Sequence, residues 1–330
     1  MLHNDKIKKR EFFGPLKNVL TSFLDEMRLT GRVYGSESFY LTKIDQVSME
    51  ADLAQNTLPQ NFVEKWSAKR EHKSTKTWSN RSIVIRKLAR YMQEHDLEAY
   101  VLPLLPHKQR SDFVPHIYTN DELRRLFEQA DLIPAYPNCP NRNEVSSLIF
   151  RMIYGCGLRI SEALNLTMKD VDIDNCVLSI KNSKFGVNRF VPMTVELTER
   201  CRSYVNKARC FAEQNEPFFQ APDGGYYSGR GINSMFRQIL FSAGIPYTGK
   251  GPRIHDLRHT FAVNCLKRWI REKKDLNAML PVLSIYLGHK GISGTQNYLR
   301  LTADMFPNIT ESFERMFEVD IFKGGDINES

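Results

Sequence analysis

Two short strings in the last third of the chain, HDLRHTFA at 255–262 and LGHKGISGTQNYL at 287–299, constrain the fold more than any other feature. They set an arginine three residues after one histidine (His255, Arg258) and a tyrosine nine after another (His289, Tyr298). Upstream, GCGLRISEAL at 155–164 adds Arg159, and Lys184 falls in the turn of an expected hairpin. A fold that gathers Arg159, Lys184, His255, Arg258, His289 and Tyr298 draws on segments far apart in sequence. Together these side chains ask for a phosphate-handling site with a phenolic nucleophile.

The chemistry follows from the residue types. A phosphodiester gathers negative charge on its non-bridging oxygens in the transition state, where fixed cationic donors stabilise it more than the ground state. Arginine suits this because its planar fork meets two phosphate oxygens and stays charged at any working pH. Tyrosine forms covalent intermediates, but a phenol with a pKa near ~10 needs cationic surroundings that favour the phenolate. Lys184 can donate a proton to a leaving 5′-oxygen, and His255 can accept or relay the tyrosine proton. A lysine on an exposed hairpin tip must swing inward when substrate binds.

Taken singly, each residue has a plainer reading. Arg159 and Glu162, three apart, match a common solvated helical pair. Lys184 suits a solvated turn, His289 a polar helix cap, and Tyr298 a half-buried core position. His255 and His259, four apart, share a helix face as zinc ligands do. HEXXH is absent, however, and no cysteine or carboxylate cluster accompanies them, so no metal is expected. The joint order and spacing favour the phosphate site.

As a set, the motifs resemble those of the tyrosine recombinases of the phage integrase family. The G-x-R-x-S-E segment lies at 157–162, with Ala163 before Leu164. Lys184 precedes the proline of Val191-Pro192 by eight residues, H-x-L-R-H-T-F-A is matched fully at 255–262, and L-G-H with T-Q-x-Y is matched at 287–289 and 295–298. The resemblance covers roughly residues 113–307. It implies a catalytic set of Arg159, Lys184, His255, Arg258, His289 and Tyr298. Glu162 is expected to brace Arg159, and His259 to support packing or a hydrogen bond near the site. It further implies strand exchange on double-stranded DNA with specific sites through a 3′-phosphotyrosyl enzyme, without ATP, metal or other cofactor. A homotetramer would hold two synapsed duplexes, and accessory recombinases are possible partners. A type IB topoisomerase shares the tyrosine chemistry, and a silent DNA-binding regulator shares the fold; both stay open as alternatives. Two departures set the chain apart from compact Xer-type resolvases. Arg258 and His289 are 31 positions apart, with a charge run at 268–280 that suggests a lengthened helix or exposed loop, and YLRLTADMFPNI follows the nucleophile. Both look more like recombinases encoded by transposons or integrative elements.

Organisation and composition agree. At 330 residues the chain is long enough for two domains, and a net charge of +8 fits a polyanionic partner. Six cysteines without CxxC pairing read as reduced thiols. No apolar run reaches ~18 residues and the charged N-terminus lacks a signal-peptide core, so a cytoplasmic, nucleoid-associated protein is expected. The expected fold is mainly α with a small antiparallel β-sheet, in two domains. A helical DNA-binding domain spans 1–102, a proline-containing linker 103–116, and a catalytic domain 117–330. In the first, helices are expected at 16–27, 36–47, 58–69 and 78–95. Lys69, Arg70, Lys73, Lys76, Arg81, Arg86, Lys87 and Arg90 are candidate phosphate contacts there. In the second, Thr119 and Glu122 form a capping box, strands span 172–180 and 188–193, and helices span 195–214 and 228–243. Past Tyr298, an apolar stripe of Phe306, Ile309, Phe313, Met316 and Phe317 is expected on one helical face. In the resembling family the corresponding segment docks into a neighbouring protomer.

Overall fold

Apolar residues recurring at three- and four-residue steps wind the N-terminal part into helices α1 (Lys17–Leu29), α2 (Gly35–Glu50), α3 (Gln60–Ser67) and α4 (Thr75–Glu94). The computed structural model describes residues 11–30, 35–69, 75–103, 114–181, 188–248, 251–289, 291, 295 and 298. The chain divides into two compact units, Met1–Asp112 and Phe113–Ser330. The division falls within the proline-containing stretch 103–116.

In the first unit, Leu20, Phe23, Leu41, Ile44, Val63, Ile85, Leu88 and Met92 form one core. Phe23 meets Tyr91 edge to face, with ring centroids 5.2 Å apart. The buried Asp45 carboxylate accepts the backbone N–H groups of Phe13 and Gly14 at 2.8 and 3.0 Å. It thereby ties the segment entering α1 to α2.

The second unit begins with α5 (Asn120–Asp131). Thr119 Oγ1 accepts from Glu122 N at 3.1 Å, and Glu122 Oε2 accepts from Thr119 N at 2.8 Å. This is the capping box expected from the sequence. There follow α6 (Arg142–Gly155), α7 (Ile160–Leu164), strands β1 (Val171–Asp172), β2 (Val177–Ile180) and β3 (Arg189–Pro192), then α8 (Val195–Ala208), α9 (Gly229–Ser242), α10 (Ile254–Arg271) and α11 (Leu276–Leu287). The sheet has the order β1-β2-β3 and is antiparallel throughout, with Val171 opposite Leu178, Leu178 opposite Val191 and Ile180 opposite Arg189. Phe150, Phe218, Phe219, Phe236 and Tyr204 fill the centre of this unit. Each buried phenylalanine contributes about 1.5–3 kcal/mol relative to exposure.

Three expectations need correction. The stretch 172–180 is a hairpin and not one strand: the Asp172 carboxylate accepts from Asn175 N at 2.9 Å and Cys176 takes φ +56°, which turns the chain. The helix expected over 195–214 stops at Ala208. Arg209 lies just beyond it, where its guanidinium pairs with Glu216 and Gln220 and so favours a turn over further helix. The charge run at 268–280 is neither one lengthened helix nor one exposed loop throughout: it spans the end of α10, an exposed turn after Arg271 and the start of α11. All six cysteines are unpaired, and no described helix is long and apolar enough to cross a membrane.

Candidate active site

The site is built where α11 ends. Gly288 caps that helix in the left-handed conformation, φ +62°, and a Cβ there would sit 2.8 Å from an Arg189 nitrogen. Three guanidiniums take three successive carbonyls at this helix end. Arg189 Nε donates to Tyr286 O at 2.7 Å, Arg258 Nη2 to Leu287 O at 2.5 Å, and Arg159 Nη2 to Gly288 O at 2.8 Å. The last carbonyls of a helix lack partners within it and carry the negative end of its dipole, so cations satisfy them.

Glu162 counters that positive charge from the other side. It accepts Arg159 Nη1 at 2.6 Å, and Arg189 Nη1 and Nη2 at 3.1 and 2.9 Å, with Arg258 Nη1 at 3.6 Å. Burial alone raises the Glu162 pKa, but the hydrogen bonds from Arg189 and the Arg159 backbone, with the Arg189 and Arg258 charges, outweigh it and hold the carboxyl below its usual range. The Arg159–Glu162 pair is therefore a partly buried junction and not the solvated helical pair considered from the sequence. Its local cause is plain: Arg159 stands at the N-terminus of α7, where Glu162 reaches back to the Arg159 N–H at 2.9 Å.

Arg258 rises from the first turns of α10 and is 1% exposed. Its Nη1 donates to Gly157 O at 2.8 Å. Gly157 takes φ +59°, and a Cβ there would lie 2.6 Å from the Phe261 ring, so only glycine fits. Arg189 is the residue that sequence reading missed. On β3 the period-two alternation turns Arg189 and Val191 inward and leaves Phe190 76% exposed. An arginine on the inward face of a strand was the available signal.

Tyr298 is 3% exposed and packs with Ala262, Leu266, Leu283 and Leu287. Its hydroxyl lies 3.1 Å from His259 Nδ1. Burial raises the phenol pKa, opposed by Arg258 and Arg159. His289 Nδ1 pairs with Thr295 Oγ1 at 2.9 Å, and its ring stacks toward Tyr298 at 6.1 Å. His255 stands edge-on to His259 with centroids 4.5 Å apart and remains exposed at the rim. Desolvation and then neighbouring positive charge hold all three histidines below the ordinary range, His259 and His289 to about 4. All three are neutral at pH 7. Arg159, His255, Arg258, His289 and Tyr298 thus gather at one place, with Glu162 and His259 among them. Lys184 lies outside the described residues, as does the stripe from Phe306 to Phe317. Among the described residues, no group of three or more His, Cys, Asp or Glu side chains is placed to hold a metal ion.

In the first unit the candidate phosphate contacts divide. Lys69, Lys76, Lys87 and Arg90 are exposed, and Arg86 is half-buried. Arg70 and Lys73 lie outside the described residues. Arg81 turns inward: it is 7% exposed, its guanidinium covers the Trp66 ring at 4.5 Å and it donates to the Trp66 carbonyl. Its helix position beside Ile85 and Leu88 commits it to packing, which corrects its place among the outward charges.

Residues 117–305 match the phage integrase family. The protein y4rB of Sinorhizobium fredii, named among the integrases and recombinases, is 32% identical over 261 residues, which span 77% of this chain and 83% of that one. The tyrosine recombinase XerA of Thermococcus kodakarensis is 28% identical over 229 residues, 69% of this chain and 73% of its own. Among solved structures, the Tn1549 transposon integrase in complex with circular intermediate DNA superposes with a TM-score of 0.58 at 19% identity, covering 85% of this chain and 94% of that one. The XerH recombinase bound to palindromic difH substrate gives a TM-score of 0.58 at 18% identity, over 83% and 77% of the two chains. With the family pattern over more than half its length and the likeness extending through y4rB, this chain belongs to the phage integrase family and is a tyrosine recombinase.

Proposed function

We propose that this protein is a site-specific DNA recombinase that integrates or excises a mobile element, with Tyr298 as its nucleophile. The observation that carries the reading is Arg159 and Arg258 both anchored on the end of α11, where the charges of both favour ionisation of the Tyr298 oxygen. A phosphate attacked by that oxygen lies within reach of both guanidiniums, which stabilise the charge gathering on its non-bridging oxygens. His289, its Nδ1 2.9 Å from Thr295 Oγ1, adds a further donor in the tautomer that carries its proton on Nε2. Attack releases a 5′-hydroxyl and leaves a 3′-phosphotyrosyl enzyme. The hydroxyl of a partner duplex then attacks that linkage, so the bond energy is kept without ATP. Lys69, Lys76, Lys87 and Arg90 supply phosphate contacts on the first unit, Lys76 and Lys87 being eleven residues apart and so on one face of α4. The mobile-element role rests on the 31-residue step from Arg258 to His289, the sequence after Tyr298 and the integrase/recombinase name of the relative y4rB. An Xer-type resolvase role is the alternative, supported by relatives such as XerA of Thermococcus kodakarensis.

The test is strand exchange between two duplexes that carry a site recovered from DNA trapped on the protein. Recombinant products support the proposal, whereas relaxation of supercoils without exchange assigns a topoisomerase. The role of Lys184 has its own check. Lys184→Ala should slow cleavage by about 10²-fold or more, and a bridging 5′-sulfur should restore it, because a thiolate leaves without a proton. Rescue confined to some other variant would remove Lys184 as the acid.

A further inference from the structure

We propose that His259, and not His255, takes the Tyr298 proton during cleavage and returns it during rejoining; this rests on Tyr298 being the nucleophile. One contact makes the case. The Tyr298 hydroxyl lies 3.1 Å from His259 Nδ1, within reach of direct proton transfer to that nitrogen. For Nδ1 to accept, the neutral ring carries its own proton on Nε2. His255, to which the sequence alone assigned the proton, stands edge-on to His259 at 4.5 Å and is exposed at the rim.

The step balances. The Tyr298 O–H bond breaks, its electron pair forms the new O–P bond, and the proton forms N–H at His259 Nδ1. The P–O5′ bond breaks, and the 5′-oxygen takes a proton from the general acid. In rejoining, the 5′-hydroxyl attacks and the departing phenolate recovers its proton from His259. Around His259 stand Tyr298, His255, His289, Arg258, Arg253 and Asp256. The fully buried Asp256 favours the imidazolium, while desolvation, Arg253 and Arg258 oppose it, so the ring rests in its base form. The Arg258 charge favours the developing phenolate.

Single-turnover cleavage of a nicked suicide duplex tests this in wild type, His259→Phe and His255→Phe, each with tyrosine or difluorotyrosine at 298. Fluorination lowers the phenol pKa and so reduces the need for a base. His259→Phe should fold, bind duplex as wild type does, and cleave on the order of 10²-fold more slowly, with the difluorotyrosine form recovering most of that loss. His255→Phe should show no such recovery. Three outcomes would overturn the assignment: cleavage by His259→Phe at or above the wild-type rate, meaning that the contact only parks the tyrosine; a loss unmoved by fluorination, meaning a packing role; or recovery confined to His255→Phe. If wild type itself forms no adduct while binding the site, the reading of Tyr298 as nucleophile fails, and the assignment with it.

Discussion

Glu162→Ala is expected to cost about 3–5 kcal/mol of folding stability, because it strands positive charge in a place that water does not reach. Arg258 is 1% exposed and Arg189 is 9% exposed, and both lean on the carboxylate that the substitution deletes. The α11 carbonyls still accept hydrogen bonds from these arginines, but carbonyl dipoles do not replace a full counter-charge. Denaturant unfolding of the second unit measures the loss, and a change below about 1 kcal/mol, the scale of an exposed pair, would contradict it. The pH dependence gives an independent sign. The folded-state pKa of Glu162 is depressed, so its contribution is complete above the unfolded carboxylate value near ~4.3 and disappears as pH falls through the folded value. The stability gap between wild type and Glu162→Gln should therefore be wide at neutral pH and close in acid.

Arg159→Ala is expected to lower single-turnover strand cleavage on the order of 10²–10³-fold, the scale of losing a donor aimed at transition-state charge. Duplex affinity should change far less, since a chain of net charge +8 has many other cations to offer a polyanion. Arg159→Lys should recover only part of the rate: the charge survives, but the planar fork that spans Glu162 and the Gly288 carbonyl does not. Cleavage within a few-fold of wild type in Arg159→Ala would remove this residue from the clamp.

Much of the site is legible in the sequence because its residues sit in short, ordered strings. Helix spacing puts His255, Arg258 and His259 within the first turns of α10, and glycine-ended L-G-H marks the stop of α11. What the strings do not carry is the way they meet. That Tyr286, Leu287 and Gly288 would offer their carbonyls to three arginines from three separate elements follows from tertiary packing, which no local pattern encodes. Arg189 escaped for a related reason. It lies on the strand after the Lys184 turn, where only the alternation of that strand places a charge on the inward face. Arg81 misled in the opposite direction: a basic run on a helix suggests a solvated face, yet Trp66 gives one of its members a partner inside. At the level of elements, the helix past Ala208 failed because helix propensity is a weak prior, and a single Arg209–Glu216 pair was enough to favour a turn.

The most direct measurement is the chemical identity of the linkage trapped on a nicked suicide duplex. Protease digestion of the wild-type adduct followed by mass spectrometry should find one modified peptide, carrying the DNA 3′-phosphate on Tyr298. Tyr298→Phe should bind the same duplex with nearly unchanged affinity and yield no adduct. A 3′ linkage on any other residue, or an adduct that survives in Tyr298→Phe, would contradict the account.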